Sequence, residues 1–114
     1  MSRFGFVEIP TKNLDESVEF YSGLFGWTFN VLPNGRYAFF KTQSTVHGGL
    51  SADDEPGQGV VVYIETPDIE QTLRQVENLG GKTVVAKTLI MPEEGYYGRF
   101  SDPSGNVLGL WSKT

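Results

Sequence analysis

The chain nearly repeats itself, and the repeat limits the folds open to it more than any single residue does. Val7-Glu8-Ile9-Pro10 opens one half and Ile64-Glu65-Thr66-Pro67 opens the other, a shift of 67 − 10 = 57 in 114 residues. Leu14, Val18, Tyr21 and Leu24 match Ile69, Leu73, Val76 and Leu79 at a shift of 55, and Tyr37, Phe40, Gly49 and Leu50 match Tyr97, Phe100, Gly109 and Leu110 at a shift of 60. Insertions change the shift while the order of elements is kept. A duplicated unit rarely buries its apolar face alone and packs on its copy. The seam between the halves is therefore the expected ligand site.

Hydrophobic periodicity supplies the elements. Phe4 to Ile9 alternates as a half-buried strand does and stops at Pro10. Asn13 with Glu16 resembles a capping box, and Leu14, Val18, Tyr21 and Phe25 then recur at helical spacing until Gly26. Strands are expected from Trp27 to Leu32, Arg36 to Thr42 and Val46 to Leu50, the first two joined by Pro33-Asn34-Gly35. The second half replays the scheme: a strand from Val60 to Thr66, a helix capped by Asp68 with Gln71, and strands near Lys82 to Ala86, Tyr96 to Ser101 and Val107 to Ser112. Asp102-Pro103-Ser104-Gly105-Asn106 reads as a structural turn in which Asx side chains cap their own backbone. The expectation is an α+β chain forming one domain over 1–114, with repeat one at about 1–52, a linker at about 53–58 and repeat two at about 59–114.

Composition narrows the chemistry. The absence of cysteine excludes disulfides, thiolate nucleophiles and thiolate zinc sites. A net charge of −5, with the nine Lys and Arg scattered singly, argues against a nucleic-acid partner. No apolar run approaches the length that crosses a bilayer, and Met1-Ser2-Arg3-Phe4 carries no signal-peptide pattern, so a cytoplasmic protein without a membrane partner is expected.

Three stretches resemble the vicinal oxygen chelate superfamily, which contains glyoxalases, bleomycin- and fosfomycin-resistance proteins and extradiol dioxygenases. They are Glu8-Ile9-Pro10 through Phe20-Tyr21-x-x-Leu24-Phe25-Gly26-Trp27, then Gly48-Gly49-Leu50, then Asp102-Pro103-Ser104-Gly105-Asn106 through Trp111. The resemblance implies two tandem βαβββ modules with curved sheets around a cupped cavity, commonly in a homodimer. It also implies metal ligands at four positions, one on the first and one on the last strand of each module. Here those positions fall on Phe6, on Val62 or Tyr63, on Gly49 and on Gly109, and glycine offers no side chain to a cation. No metal ligand and no cofactor is therefore expected, unless a divalent metal uses a displaced set of Glu8, His47 and Glu65.

Strand alternation extends the cavity set. Phe4 and Glu8 should accompany Phe6, His47 should accompany Gly49, and Val107 and Trp111 should accompany Gly109. Tyr63 should bring Glu65 with it, so that Glu8 and Glu65 face each other across the repeat. Phe39 and Tyr97 complete the aromatic lining, while Tyr96-Tyr97-Gly98 falls where the resemblance implies a loop over the cavity mouth. The two glycines read either as close-packing positions or as an open floor that lets a ligand reach the backbone. His47, the only histidine, reads either as an inert, hydrogen-bonded residue at a strand end or as a general base or ligand-orienting group. The favoured function is metal-independent binding of a small aromatic or cationic molecule. The alternative is a lactoylglutathione-lyase-like lyase or isomerase with displaced metal ligands or His47 as base, and a third reading is a dimeric interaction module with a filled cavity.

Overall fold

A computed structural model describes residues 2–54 and 59–114, so the second part of the expected linker lies outside the described residues. The chain divides into two compact units. The first runs from Phe6 to Val61; the second runs from Val62 to Thr114 and takes in the N-terminal residues up to Gly5.

In the first unit the order is β1 (Arg3–Pro10), α1 (Leu14–Phe25), β2 (Thr28–Val31), β3 (Tyr37–Lys41) and β4 (His47–Ser51). The strands lie in the order β2-β3-β4-β1, antiparallel except for the β4–β1 pair. Asn13 starts α1 by accepting the Glu16 N–H on its side chain at 3.0 Å. Gly26 ends it at φ 72°, left-handed backbone that costs a side-chain-bearing residue. The helix covers one sheet face, where Leu14, Ala38, Phe40 and Leu50 are buried with Ile9, Val18, Tyr21, Trp27 and Phe29 against them.

The second unit follows the same plan. Its elements are β5 (Val61–Glu65), α2 (Ile69–Asn78), β6 (Lys82–Met91), β7 (Gly95–Ser101) and β8 (Val107–Ser112), with strand order β5-β8-β7-β6 and a parallel β5–β8 pair. Asp68 caps α2 on the Gln71 N–H at 3.0 Å, and Ile69, Leu73 and Leu110 form the core with Ile64, Tyr96 and Phe100. Each unit is thus βαβββ, and the α+β expectation holds. Among the described residues no helix is long and apolar enough to cross a membrane.

One expectation about the elements needs correction. β6 continues to Met91 rather than ending near Ala86, because register shifts at Thr83/Val85, Val85/Thr88 and Leu89/Met91 break the alternation that marks a strand in sequence. Tyr96-Tyr97-Gly98 lies inside β7, within the strand expected from Tyr96 to Ser101.

The repeat also has a different register from the one its Glu-x-Pro openings suggest. The Thr11 N–H bonds the Ser51 carbonyl at 2.8 Å and the Thr66 N–H bonds the Trp111 carbonyl at 2.9 Å. The Thr11 hydroxyl meets Ser17 at 2.5 Å and that of Thr66 meets Thr72 at 2.9 Å. The donors and hydroxyl partners on the first strand and helix of each unit, Thr11 with Thr66 and Ser17 with Thr72, sit with Asn13 and Asp68 at a shift of 66 − 11 = 55. Glu8 therefore corresponds to Tyr63 (63 − 8 = 55), and both lie opposite a glycine, Gly49 and Gly109. Glu8 and Glu65 are not a symmetric pair, nor are Phe6 and Tyr63. Proline carries no N–H, so it marks a strand end without fixing register: Pro10 precedes the last ladder bond of its strand and Pro67 follows it.

Candidate functional site

Each sheet has a second face, opposite the one its helix covers. In the first unit, cross-strand partners Phe6 with His47 and Glu8 with Gly49 and Phe39 place these five residues together on that face. Tyr37, two residues before Phe39, joins them. Its ring meets Phe39 edge-on at 5.1 Å between centroids, and Phe39 meets Phe6 edge-on at 6.2 Å, the geometry that aromatic quadrupoles favour. The Tyr37 hydroxyl donates to Glu8 Oε2 at 2.9 Å, holding a carboxylate that is only 9% exposed.

Gly49 is not an open floor. A Cβ built there would come within 2.6 Å of Tyr37 Cε1 and nearer still to the hydroxyl, so the Tyr37 ring lies directly on the glycine. The close-packing reading of Gly49 is the one the structure supports.

His47 is committed elsewhere. Its Nδ1 accepts the Thr42 N–H at 3.0 Å across the β3–β4 turn, where the Thr42 hydroxyl also donates to the Val46 carbonyl at 2.7 Å. The Nδ1 lone pair is thereby taken by the Thr42 N–H and is not open to a substrate proton. His47 pins the turn, and a base at this position would first have to give up the Thr42 bond.

In the second unit, Tyr63 and Arg99 lie opposite Gly109, while Glu65 and Tyr97 lie opposite Trp111. These residues share the face away from α2. A Cβ on Gly109 would come within 2.7 Å of Tyr63 Cγ, so Tyr63, 5% exposed, covers this glycine. Arg99 Nε donates to the Tyr63 hydroxyl at 3.0 Å, with the guanidinium carbon 5.7 Å from the ring centroid. Tyr97 meets Tyr63 edge-on at 6.5 Å, and Trp111 Nε1 donates to the Glu94 carbonyl at 2.8 Å. Glu65 runs over Gly5 and pairs with Arg3 at 3.0 Å. The two carboxylates of the sequence reading thus play unlike parts: Glu8 is buried and bonded to a tyrosine, while Glu65 is in an ion pair whose arginine is 79% exposed.

Two residues of these faces, Arg99 and Tyr37, do not stand out in the sequence: Arg99 is one of the singly scattered Lys and Arg, and Tyr37 is only the repeat match of Tyr97. Both were reachable, since Phe39 and Tyr97 were in the candidate set and 39 + 60 = 99 while 97 − 60 = 37.

The model of the glyoxalase/bleomycin resistance protein/dioxygenase superfamily matches residues 3–110. The chain belongs to this superfamily. It is 29% identical over 116 residues to a glyoxylase-like domain-containing protein of Didymella fabae, covering 94% of this chain and 91% of the relative. The anthracycline biosynthesis protein DauV of Streptomyces sp. (strain C5) is 25% identical over 137 residues, covering 99% of this chain and 50% of the relative. The structure of an Mn(II)-bound glyoxalase from Novosphingobium aromaticivorans is similar with a TM-score of 0.69 and 26% identity, over 99% of this chain and 40% of that one. The chain spans half or less of the length of the last two.

Superfamily membership raises the question of a metal, and the residues present do not fit one. Phe6 is apolar, Val62 is apolar, and Tyr63 already accepts a bond from Arg99. Gly49 and Gly109 lie under tyrosine rings that leave no room for a carboxylate in their place. Among the described residues no group of three or more His, Asp or Glu side chains is placed to hold a metal ion, which also removes the geometric basis for a displaced set of Glu8, His47 and Glu65.

Proposed function

We propose that the protein binds a planar aromatic small molecule without a divalent metal, on the face of the first unit that carries Phe6, Tyr37 and Phe39. The observation supporting this most directly is that the three rings are partly exposed and lie edge-to-face beside Glu8, on the sheet face that α1 leaves uncovered. Edge-to-face rings present both ring faces and ring edges to a flat partner, and such a contact is worth about 0.5–1.5 kcal/mol beyond buried area. Tyr97 and Trp111 give the second unit a comparable aromatic surface.

The charge of the ligand follows less from the chain's acidity than the sequence suggests. Glu65 is in an ion pair with Arg3, Glu8 is bonded to Tyr37, and Arg99 brings a cation to the second unit's face. Aromaticity is the feature selected, so proflavine (cationic), acridone (neutral) and anthraquinone sulfonate (anionic) form the test set. Binding is expected for flat compounds across this set and not for aliphatic amines of similar charge. A thermal-shift and calorimetric screen in which every aromatic fails, while a metal ion alone stabilises the protein, would overturn the reading.

The lyase or isomerase alternative has less support. Its base, His47, is engaged at Nδ1, and its displaced metal set has no cluster behind it. The homodimer implied by the superfamily belongs to the proposal and is checked by sedimentation.

A further inference from the structure

We infer that Tyr37 is the specificity-determining residue of the binding reading above, on which this inference rests, while the buried Tyr63 plays only the same packing part in the second unit. The Tyr37 ring occupies the space from which a side chain at Gly49 would project, and this favours ligands recognised by ring contact over ligands recognised through metal-held oxygens.

Built Cβ atoms at Gly49 and Gly109 would lie 2.6 Å from Tyr37 Cε1 and 2.7 Å from Tyr63 Cγ, closer than real Cβ atoms approach anything. Both glycines are buried, so the rings replace the missing side chains. Neither ring can swing away cheaply. Tyr37 is tethered to the buried Glu8 at 2.9 Å and Tyr63 to Arg99 at 3.0 Å, and hydrogen bonds to charged partners are the stronger class.

The two rings reach their glycines from different strands, so the arrangement is not a simple relic of the repeat. Tyr63 sits on β5 directly opposite Gly109, whereas Tyr37 sits on β3, diagonal to Gly49. The repeat counterpart of Tyr37 is Tyr97 and that of Tyr63 is Glu8. The same glycine position is therefore covered by a tyrosine ring that comes from a different strand in each unit.

The test is a pair of double-mutant cycles with ligand binding measured on every variant. Gly49→Ala and Gly109→Ala are expected to lower Tm by about 4–8 °C each, because the ring must move. In Tyr37→Ala and Tyr63→Ala backgrounds the same glycine changes should cost little, so the effects are strongly non-additive. Tyr37→Ala should weaken binding of proflavine or acridone roughly three- to tenfold. Tyr37→Phe and Tyr63→Phe keep the ring but lose its tether, so they should keep the affinity while the penalty for alanine at the glycine shrinks. These variants also carry the test if the alanine changes do not fold.

Additive effects on Tm, or an unchanged affinity in Tyr37→Ala, would overturn the inference while leaving the aromatic-binding reading intact. Coupled effects on Tm in a wild-type protein that binds none of the probes would sink that reading, and with it the specificity role.

Discussion

The Tyr37 hydroxyl is one of the groups that let Glu8 sit where it does. Burying a carboxylate is costly unless donors replace its water, and Tyr37 supplies one at 2.9 Å. Tyr37→Phe is expected to destabilise the protein by about 1–3 kcal/mol, measured as a shift in denaturant midpoint without a change in slope. Asp102 shows the surface counterpart. The Asn106 side chain and then the Asn106 N–H, helped by the Ser104 N–H, hold its carboxyl below the ordinary carboxylate range. A depressed folded-state value means stability that is present above the unfolded value and lost as pH falls through the folded one. NMR titration of the Asp102 carboxyl should accordingly show it staying ionised below an ordinary aspartate, and Asn106→Ala should move it back toward that value. The sequence showed Asp102 as a turn residue because Asx chemistry is local. It did not show that Glu8 and Glu65 differ, since that depends on which residues lie across the sheet.

Elements were legible to the extent that their signals are local and periodic. Both helices start at the residues their caps indicate, Asn13 and Asp68, and α1 ends at Gly26. Asn13→Ala and Asp68→Ala should each cost about 1 kcal/mol. Two glycines of the first unit separate propensity from packing. Gly23 lies inside α1 with nothing within 4 Å of an added Cβ, so Gly23→Ala should stabilise the protein by about 0.5–1 kcal/mol. Gly48 lies where a Cβ would strike the Val7 carbonyl and the Phe40 ring, so Gly48→Ala should disturb the β1–β4 pair and lower Tm. Chemical denaturation of the two variants should give shifts of opposite sign. β6 marks the limit of such reading. Its three register shifts erase the period-two pattern beyond Ala86, and they leave an edge strand with Val84, Leu89 and Ile90 exposed. Bulges of this kind, with Lys82 and Lys87 on the strand, protect an edge from pairing with other chains.

At the scale of the molecule, the duplication predicted two βαβββ units, and the structure contains both. Its most visible sequence sign, the matched Glu-x-Pro, was misleading by two residues. The threonine hydroxyl bonds that fix the true shift of 55 become recognisable only once both strand ends are in place. The aromatic and glycine positions on the uncovered faces were legible through alternation, whereas the tyrosine covering each glycine was not, because Tyr37 reaches Gly49 along a diagonal. The central claim is that this member of the superfamily recognises a flat aromatic ligand without a metal. Calorimetric titration of proflavine and acridone into protein stripped with EDTA, repeated with added Mn(II), tests it most directly. The account predicts saturable binding with the same affinity in both conditions, and binding that appears only with the metal would contradict it.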